Sequence, residues 1–167
     1  MSKLPKSWWV AEIQKLKTPA KCRAFAKEVA DRADLVIECK LQEARVTPLR
    51  KGVPEPETSV EQRIYSDMRT LESLGSTRFS RSWPMIARYG YVATVERLLK
   101  EYRREDRVRT SSGFRIALKY ERLDCTYEQV ALDYPELFSE EVRAEARRTL
   151  AHARKVGYAQ ILKEVRQ

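Results

Sequence analysis

Apolar residues recur at helical spacing along most of the chain, whereas the alternation that is typical of strands is scarce. After Thr18, a proline at the first helical position is tolerated because that position needs no backbone donor. The apolar side chains that follow it fall at i, i+3, i+4 and i+7, on one helix face. This stripe consists of Cys22, Phe25, Ala26 and Val29. A second stripe consists of Val60, Ile64, Met68, Leu71 and Leu74. The pattern predicts an all-α fold, a multi-helix bundle of about seven to nine helices.

Residues 47–58 interrupt this helical pattern. The segment TPLRKGVPEPET contains three prolines and one glycine, and proline removes a backbone donor that a helix or a central strand needs. We therefore predict an N-terminal helical subdomain at 1–46 and a C-terminal helical bundle at 59–167. Between them, 47–58 is expected to form a Pro-rich linker or an ordered crossing loop.

Capping signals mark the ends of several predicted helices. Ser59 and Gln62 have the spacing of a capping box, and Gly75 is expected to end the same helix in a left-handed conformation. Ser139 is expected to cap the last long helix, which Gly157 interrupts or ends.

Residues 82–104 have the outline of a helix-turn-helix. A short helix over 82–89 is followed by Gly90 and by a second helix over 91–104, and in such a unit the start of the second helix enters the major groove of DNA. The residues expected at that position are Tyr91, Thr94 and Arg97, with Arg81 and Arg88 on the flanking DNA backbone.

The charge of the chain favours a polyanionic partner. Its 167 residues include 33 Lys plus Arg and 24 Asp plus Glu, which gives a net charge of +9 and a pI near 9.6. Nucleic acid is the first expectation for such a protein. The longest apolar run, residues 8–11, is far shorter than the roughly 20 residues that cross a bilayer. No secretory signal is recognisable, so we expect a cytoplasmic protein that does not bind a membrane.

Cysteine and histidine are too few for the common metal sites. The three cysteines are widely spaced and form no CxxC, and His152 is the single histidine. Zinc fingers, HNH-type nucleases and metalloproteases need more of these ligands. We therefore predict no metal, no cofactor and no catalytic residue, and a protein that is more readily explained as a binder than as an enzyme.

The charges are unevenly distributed along the chain. Residues 76–109 contain nine Lys or Arg and four Asp or Glu, whereas 124–145 contain one and seven, and 147–166 contain six and one. The basic residues of the first segment are mostly arginines, whose planar guanidinium group suits phosphates and guanine edges. The predicted nucleic-acid contacts are Arg78, Arg81, Arg88, Tyr91, Thr94, Arg97, Lys100, Arg103, Arg104, Arg107 and Arg109. DNA is favoured over RNA, and a solvated basic helix face is the alternative interpretation.

Two other classes of function stay open. A helical adaptor or assembly subunit would bind a protein partner through Trp8 and Trp9 or through the acidic segment 124–145. A nucleic-acid-processing enzyme is the third alternative, either a helical glycosylase or a nuclease.

The nuclease alternative comes from one short motif. Residues 36–40, Val-Ile-Glu-Cys-Lys, resemble the E-x-K half of the PD-(D/E)xK nucleases, in which carboxylates hold Mg²⁺ and the lysine orients the attacking water. That resemblance implies a sheet with Glu38 and Lys40 on one strand and Asp34 as the other acid. The flanking residues predict a helix instead, with Glu38 and Lys40 exposed.

The arginine-rich segment yields a direct test. Replacing Arg103, Arg104, Arg107 and Arg109 with alanine is expected to weaken binding to all nucleic-acid sequences, because these residues would neutralise phosphates. The same change flattens the dependence of affinity on salt, measured by mobility shift at several salt concentrations. An unchanged salt dependence would show that these four residues are not the contact.

Overall fold

A computed structural model of the chain describes residues 4–104 and 111–166, and every regular element in these ranges is helical. This confirms the predicted all-α bundle. The α-helices are α1 Lys6–Gln14, α2 Pro19–Glu28, α3 Ala33–Val46, α4 Ser59–Gly75, α5 Ser82–Tyr89, α6 Tyr91–Arg104, α7 Ser112–Lys119, α8 Tyr127–Asp133 and α9 Glu140–Arg166. Short 3₁₀ helices lie at Leu123–Cys125 and Pro135–Leu137. Within those two ranges, no helix combines the length and apolar character needed to cross a lipid bilayer.

The first three helices enclose an apolar cluster of their own. It is formed by Ile13, Val29, Leu35 and Cys39. The amide of Gln42 on α3 donates to the carbonyls of Gln14 and Leu16 at 3.2 and 2.9 Å and thereby fixes the end of α1. α3 also packs along α4, so the N-terminal helices rest on the bundle. The division of the chain into two subdomains stays a prediction.

The main core lies between α4, α5, α6, α8 and α9. Its central positions come from the apolar stripe of α4 and from the inward faces of the other four helices. They include Ile64, Met68, Trp83, Ile86, Tyr91, Val95, Leu99, Val130, Val142 and Ala146. The Trp83 ring meets the Tyr65 ring edge-on at 5.6 Å between centroids, a favoured aromatic arrangement.

Residues 47–58 form an ordered crossing that packs against this core. Val53 is buried, and the carbonyl of Pro54 accepts a hydrogen bond of 2.7 Å from the hydroxyl of Tyr91. The guanidinium of Arg50 lies 5.2 Å from the centroid of the Trp83 ring. The crossing is therefore held by contacts to α5 and α6.

A buried carboxylate joins this crossing to α4 and α5. Glu72 is 7% exposed, and its Oε1 accepts hydrogen bonds of 2.7 Å from the backbone N–H of Phe79 and from the indole N–H of Trp83. Arg50 and Arg69 each place a guanidinium nitrogen 3.5 Å from the same carboxylate. Two N–H donors and two guanidinium groups from the surrounding segments thus stabilise this buried carboxylate.

Two capping predictions are wrong by one residue. The capping box of α4 uses Thr58 and Glu61, whose side chains bond each other's backbone N–H, instead of Ser59 and Gln62. The left-handed residue at the end of α4 is Ser76, with φ of 48°, and not Gly75. Gly75 has a different role, because an added Cβ there would lie 2.3 Å from Cδ1 of Ile116 on α7. It allows two helices to approach closely.

Other local predictions are confirmed. Helix α2 begins at Pro19, as predicted, and the Thr18 side chain accepts from the Lys21 N–H at this end. The predicted cap of α9 is also present, because the Ser139 side chain accepts from the Val142 N–H. Gly157 has φ of 71° and kinks α9. Residues 36–40 lie inside helix α3, and the described ranges contain no strand, so the sheet implied by the nuclease resemblance is absent from them.

The Glu72 network makes a stability prediction. Glu72→Gln removes the charge that Arg69 and Arg50 face. The unfolding free energy is expected to fall by about 2–4 kcal/mol, because two partly buried cations are left without their partner and the buried N–H donors lose a charged acceptor. Urea denaturation followed by circular dichroism measures this. Glu57→Gln, at an exposed side chain, is the control and should change the unfolding free energy by less than about 0.5 kcal/mol. Equal stabilities of the two variants would contradict the role of Glu72.

Candidate nucleic-acid interface

The junction between α5 and α6 consists of Gly90 alone. Its φ of 81° and ψ of 171° favour glycine, and the α5 helix ends as the Gly90 N–H donates to the Ile86 carbonyl at 2.8 Å. The Gly90 carbonyl then accepts from both the N–H and the hydroxyl of Thr94, at 3.2 and 2.7 Å. A helix-turn-helix unit has a turn of about three to four residues. The predicted unit at 82–104 is therefore unconfirmed.

The first turn of α6 faces the core, which corrects two predicted DNA contacts. Tyr91 is 1% exposed and Thr94 is 0% exposed. Burial raises the pKa of Tyr91 to about 12, so its hydroxyl stays neutral and donates to the crossing segment. Neither side chain has a surface that a base could reach. Both are wrong as contacts because the apolar face of α6 includes its N-terminal turn.

The exposed face at this junction carries two arginines and a tyrosine, which we call the Arg88–Tyr89–Arg97 cluster. The guanidinium carbons of Arg88 and Arg97 lie 5.1 and 4.0 Å from the centroid of the half-buried Tyr89 ring. Both arginines are exposed, and neither forms an ion pair with a carboxylate of residues 4–104 or 111–166. Within the part of the chain that the structure describes, their charge is therefore available to an anion from solvent. Tyr89 is not among the contacts predicted from the sequence.

Two other predicted contacts are neutralised by carboxylates on α6. Arg81 forms an ion pair with Glu101, and the ammonium of Lys100 lies 2.7 Å from the carboxylate of Glu96. Glu96 also accepts a hydrogen bond of 2.8 Å from Ser139, which ties α6 to α9. These two cations contribute less to an anionic partner than an unpaired arginine does.

Four predicted contacts have side chains outside the described part of the molecule. Arg103 and Arg104 belong to the last turn of α6, but their side chains lie outside the described part of the molecule. Arg107 and Arg109 lie outside the described residues altogether. All four stay predictions.

The remaining predicted contact, Arg78, lines a groove that also involves the N-terminal helices. The groove has a volume of about 540 Å³ and lies between α2, α3 and the segment after α4. Arg23 and Lys27 of α2 and Lys40 of α3 line it together with Arg78. No local pattern in the sequence predicts this grouping, because these residues are up to 55 positions apart (23 to 78).

The acidic segment 124–145 does not neutralise the Arg88–Tyr89–Arg97 cluster. Among the described residues, four of its seven carboxylates pair with cations elsewhere: Asp124 with Arg122, Asp133 with Arg63, Glu140 with Arg143 and Arg147, and Glu145 with Arg148.

A polar cluster between α4 and the 3₁₀ helix at Leu123–Cys125 includes a buried thiol. Arg63 donates to the Asp67 carboxylate and to the Asp124 carbonyl, each at 2.6 Å. Burial raises the pKa of Asp67, although the hydrogen bond from Arg63 opposes it, and burial raises the pKa of Cys125 well above the usual range of a thiol. A thiol that stays protonated is a poor nucleophile. This cluster joins two segments of the fold and has no feature of a reactive site.

Sequence reasoning also missed a buried carboxyl group at the contact of α8 with α9. Glu128 is 5% exposed. Burial raises its pKa to about 7; a hydrogen bond from its own backbone opposes this shift, and the nearby Glu145 carboxylate adds to it. A surface depression of about 440 Å³ is lined by Glu141, Ala144, Glu145 and Arg148. The ionisation of Glu128 is therefore expected to affect the stability of the folded state.

The raised pKa of Glu128 predicts a pH-dependent stability. The folded state holds this proton more tightly than the unfolded chain does, so stability is lost as the pH rises from about 4.5 to about 7. Glu128→Gln removes this loss. Relative to the wild type, the variant should gain on the order of 1–3 kcal/mol between about pH 5 and about pH 8, measured by urea denaturation. Glu136→Gln, at an exposed position, is the control; a gain independent of pH would contradict the assignment.

The comparisons with known proteins supply no relative. No family model, no curated protein and no solved structure matches this chain. No functional residue is therefore carried over from another protein, and the function has to be inferred from the geometry and charge described above.

Proposed function

We propose that the protein binds nucleic acid, in the first place DNA, through the Arg88–Tyr89–Arg97 cluster and the arginines that follow it in the chain, without catalysing a reaction. The observation that carries this proposal is the exposure of two arginines that have no carboxylate partner among the described residues. In a protein of net charge +9 such a site attracts a polyanion.

The arrangement of the cluster suits a phosphate backbone. Each guanidinium offers several N–H donors in a plane, and this geometry matches the oxygens of a phosphate. Contact with the Tyr89 ring limits the freedom of both arginine side chains, so less entropy is lost when they bind. The exposed guanidinium planes also provide surfaces on which unpaired bases stack.

A protein–protein adaptor is the second candidate, and one observation favours it. Trp8 is 42% exposed and Leu4 is 40% exposed, although residues of this size are usually covered. Trp9, in contrast, is half-buried and packs against Phe25 at 6.1 Å between ring centroids. Trp8 is therefore the residue of this pair that a protein partner would bind.

Binding measurements separate these functions. Mobility shifts with duplex DNA, single-stranded DNA and RNA, with and without Mg²⁺, are expected to show binding without product. Absence of binding to all three nucleic acids would favour the adaptor, and cleavage or base release would favour an enzyme.

The cluster is tested by the double variant Arg88→Gln with Arg97→Gln. Its affinity for duplex DNA is expected to fall roughly tenfold at low salt, and the slope of log K against log salt should shrink by about 2, because about 0.9 is lost for each phosphate contact. The matched control is Arg147→Gln with Arg154→Gln, which removes the same charge from exposed positions of α9. If both variants lose affinity equally, net charge alone would explain the binding and the cluster would not be the site.

A further inference from the structure

The groove between α2, α3 and the end of α4 is a separate place where anion-binding groups meet. It is lined by four cationic side chains, of Arg23, Lys27, Lys40 and Arg78, and by two carboxylates, of Glu43 and Glu72. Its volume of about 540 Å³ lies within the range of small-molecule sites, about 300–1,000 Å³. The question is which of these charges are still available to a ligand.

Both carboxylates already have cationic partners, whereas three of the cations have no carboxylate partner among the residues that the structure describes. Glu43 forms an ion pair with Arg23, and Glu72 is held by Arg50 and Arg69. Lys27, Lys40 and Arg78 form no ion pair with a carboxylate in the part of the chain that the structure describes. The lining as a whole carries a net charge of +2, from four cations and two carboxylates.

Lys40 is held in place by two hydrogen bonds of its ammonium group, which leaves one N–H donor unused. Its ammonium donates to the Leu74 carbonyl and to the Ser76 hydroxyl, each at 3.1 Å, and the Ser73 hydroxyl donates to the Lys40 carbonyl at 2.7 Å. An ammonium has three N–H donors, so one remains for a ligand. Because the Ser76 oxygen accepts from Lys40, its own O–H is left to donate. The bond to Leu74 also offsets the partial negative charge at the end of α4.

The floor of the groove does not repel an anion. Cys22 and Cys39 are both buried there. Burial raises the pKa of both thiols, that of Cys39 to about 11, so both are neutral near pH 7. Together with Ala26 they give the groove an apolar part beside the cations.

We propose that this groove binds the phosphate group of a small molecule, with Lys40 and Ser76 as fixed donors and Lys27 and Arg78 as the cations that close over it. A phosphate monoester carries a charge of about −1.5 to −2 at neutral pH and three acceptor oxygens, which match the net charge and the several donors of the lining. This proposal is independent of nucleic-acid binding by the Arg88–Tyr89–Arg97 cluster.

Isothermal titration calorimetry with the full chain tests the site. The probes are inorganic phosphate, ribose 5-phosphate and adenosine monophosphate, each titrated to about 10 mM, well above a Kd of about 1 mM. Saturable binding of at least one probe is expected. Equal affinity for all three identifies the phosphate ion as the ligand, and tighter binding of the esters shows that the organic part is also recognised. Absence of binding by all three overturns the proposal.

Two variants locate the binding. Lys27→Gln with Arg78→Gln changes exposed side chains and is expected to weaken phosphate binding at least tenfold, with an unchanged Tm. Lys40→Gln should abolish the binding, and its Tm, recorded in parallel, shows whether it folds. Lys17→Gln with Lys51→Gln, which removes two exposed charges outside the groove, should bind like the wild type. Equal weakening in this control, or unchanged affinity in the Lys27/Arg78 variant, overturns the site.

The same variants distinguish this proposal from the proposed function. If Lys27→Gln with Arg78→Gln keeps its affinity for duplex DNA and loses that for small phosphates, the two sites are separate, as expected. If small phosphates do not bind and the double variant loses DNA affinity, the groove serves only the nucleic-acid backbone. That result overturns the small-molecule site and leaves nucleic-acid binding in place.

Discussion

The buried carboxylate of Glu72 is the constraint on which much of this structure depends. A charge removed from water is tolerated only when donors and cations surround it. Here they come from the crossing segment with Arg50, from α4 with Arg69, from the turn with the N–H of Phe79, and from α5 with the indole of Trp83. The hydrogen bonds and ion pairs of this one side chain therefore fix the path of the chain before α4 and after it.

This constraint determines which side chains reach the surface farther along the chain. The hydrogen bond of Trp83 fixes the start of α5. Gly90 is the one residue between α5 and α6, so the position of α5 also limits the position of α6. Tyr91 then turns inward and bonds the crossing segment. With that face of α6 buried, Arg97 is left on the solvent side beside Tyr89. The exposed arginines are thus a consequence of how the core is packed.

The sequence was sufficient for the elements and insufficient for their orientation. Helical spacing of apolar residues, the helix start at Pro19 and the interruption of the last helix at Gly157 are local signals, and each predicted its feature correctly. The inward direction of Tyr91 and Thr94 was missed, because a polar residue at a helix start shows its burial only when its partners are known. The cap of α4 was misplaced because Ser59 and Thr58 are both good capping residues.

The groups that distinguish the candidate sites were beyond sequence reasoning because they come together from distant positions. Lys40 was expected to be an exposed residue of a helix, and its contacts with Leu74 and Ser76 span more than 30 positions. Glu128 belongs to an acidic segment, and its burial follows only from the packing of α8 on α9. Long-range packing, and not local preference, sets the charge state and the exposure of these groups.

The most direct test of the account is the affinity of the wild-type protein for duplex DNA as a function of salt concentration. Exposed arginines that have no carboxylate partner among the described residues are expected to displace counterions, which predicts measurable binding whose log K falls linearly and steeply with log salt. Affinity that does not change with salt, or no binding even at low salt, would contradict the claim that these side chains form a polyanion-binding surface.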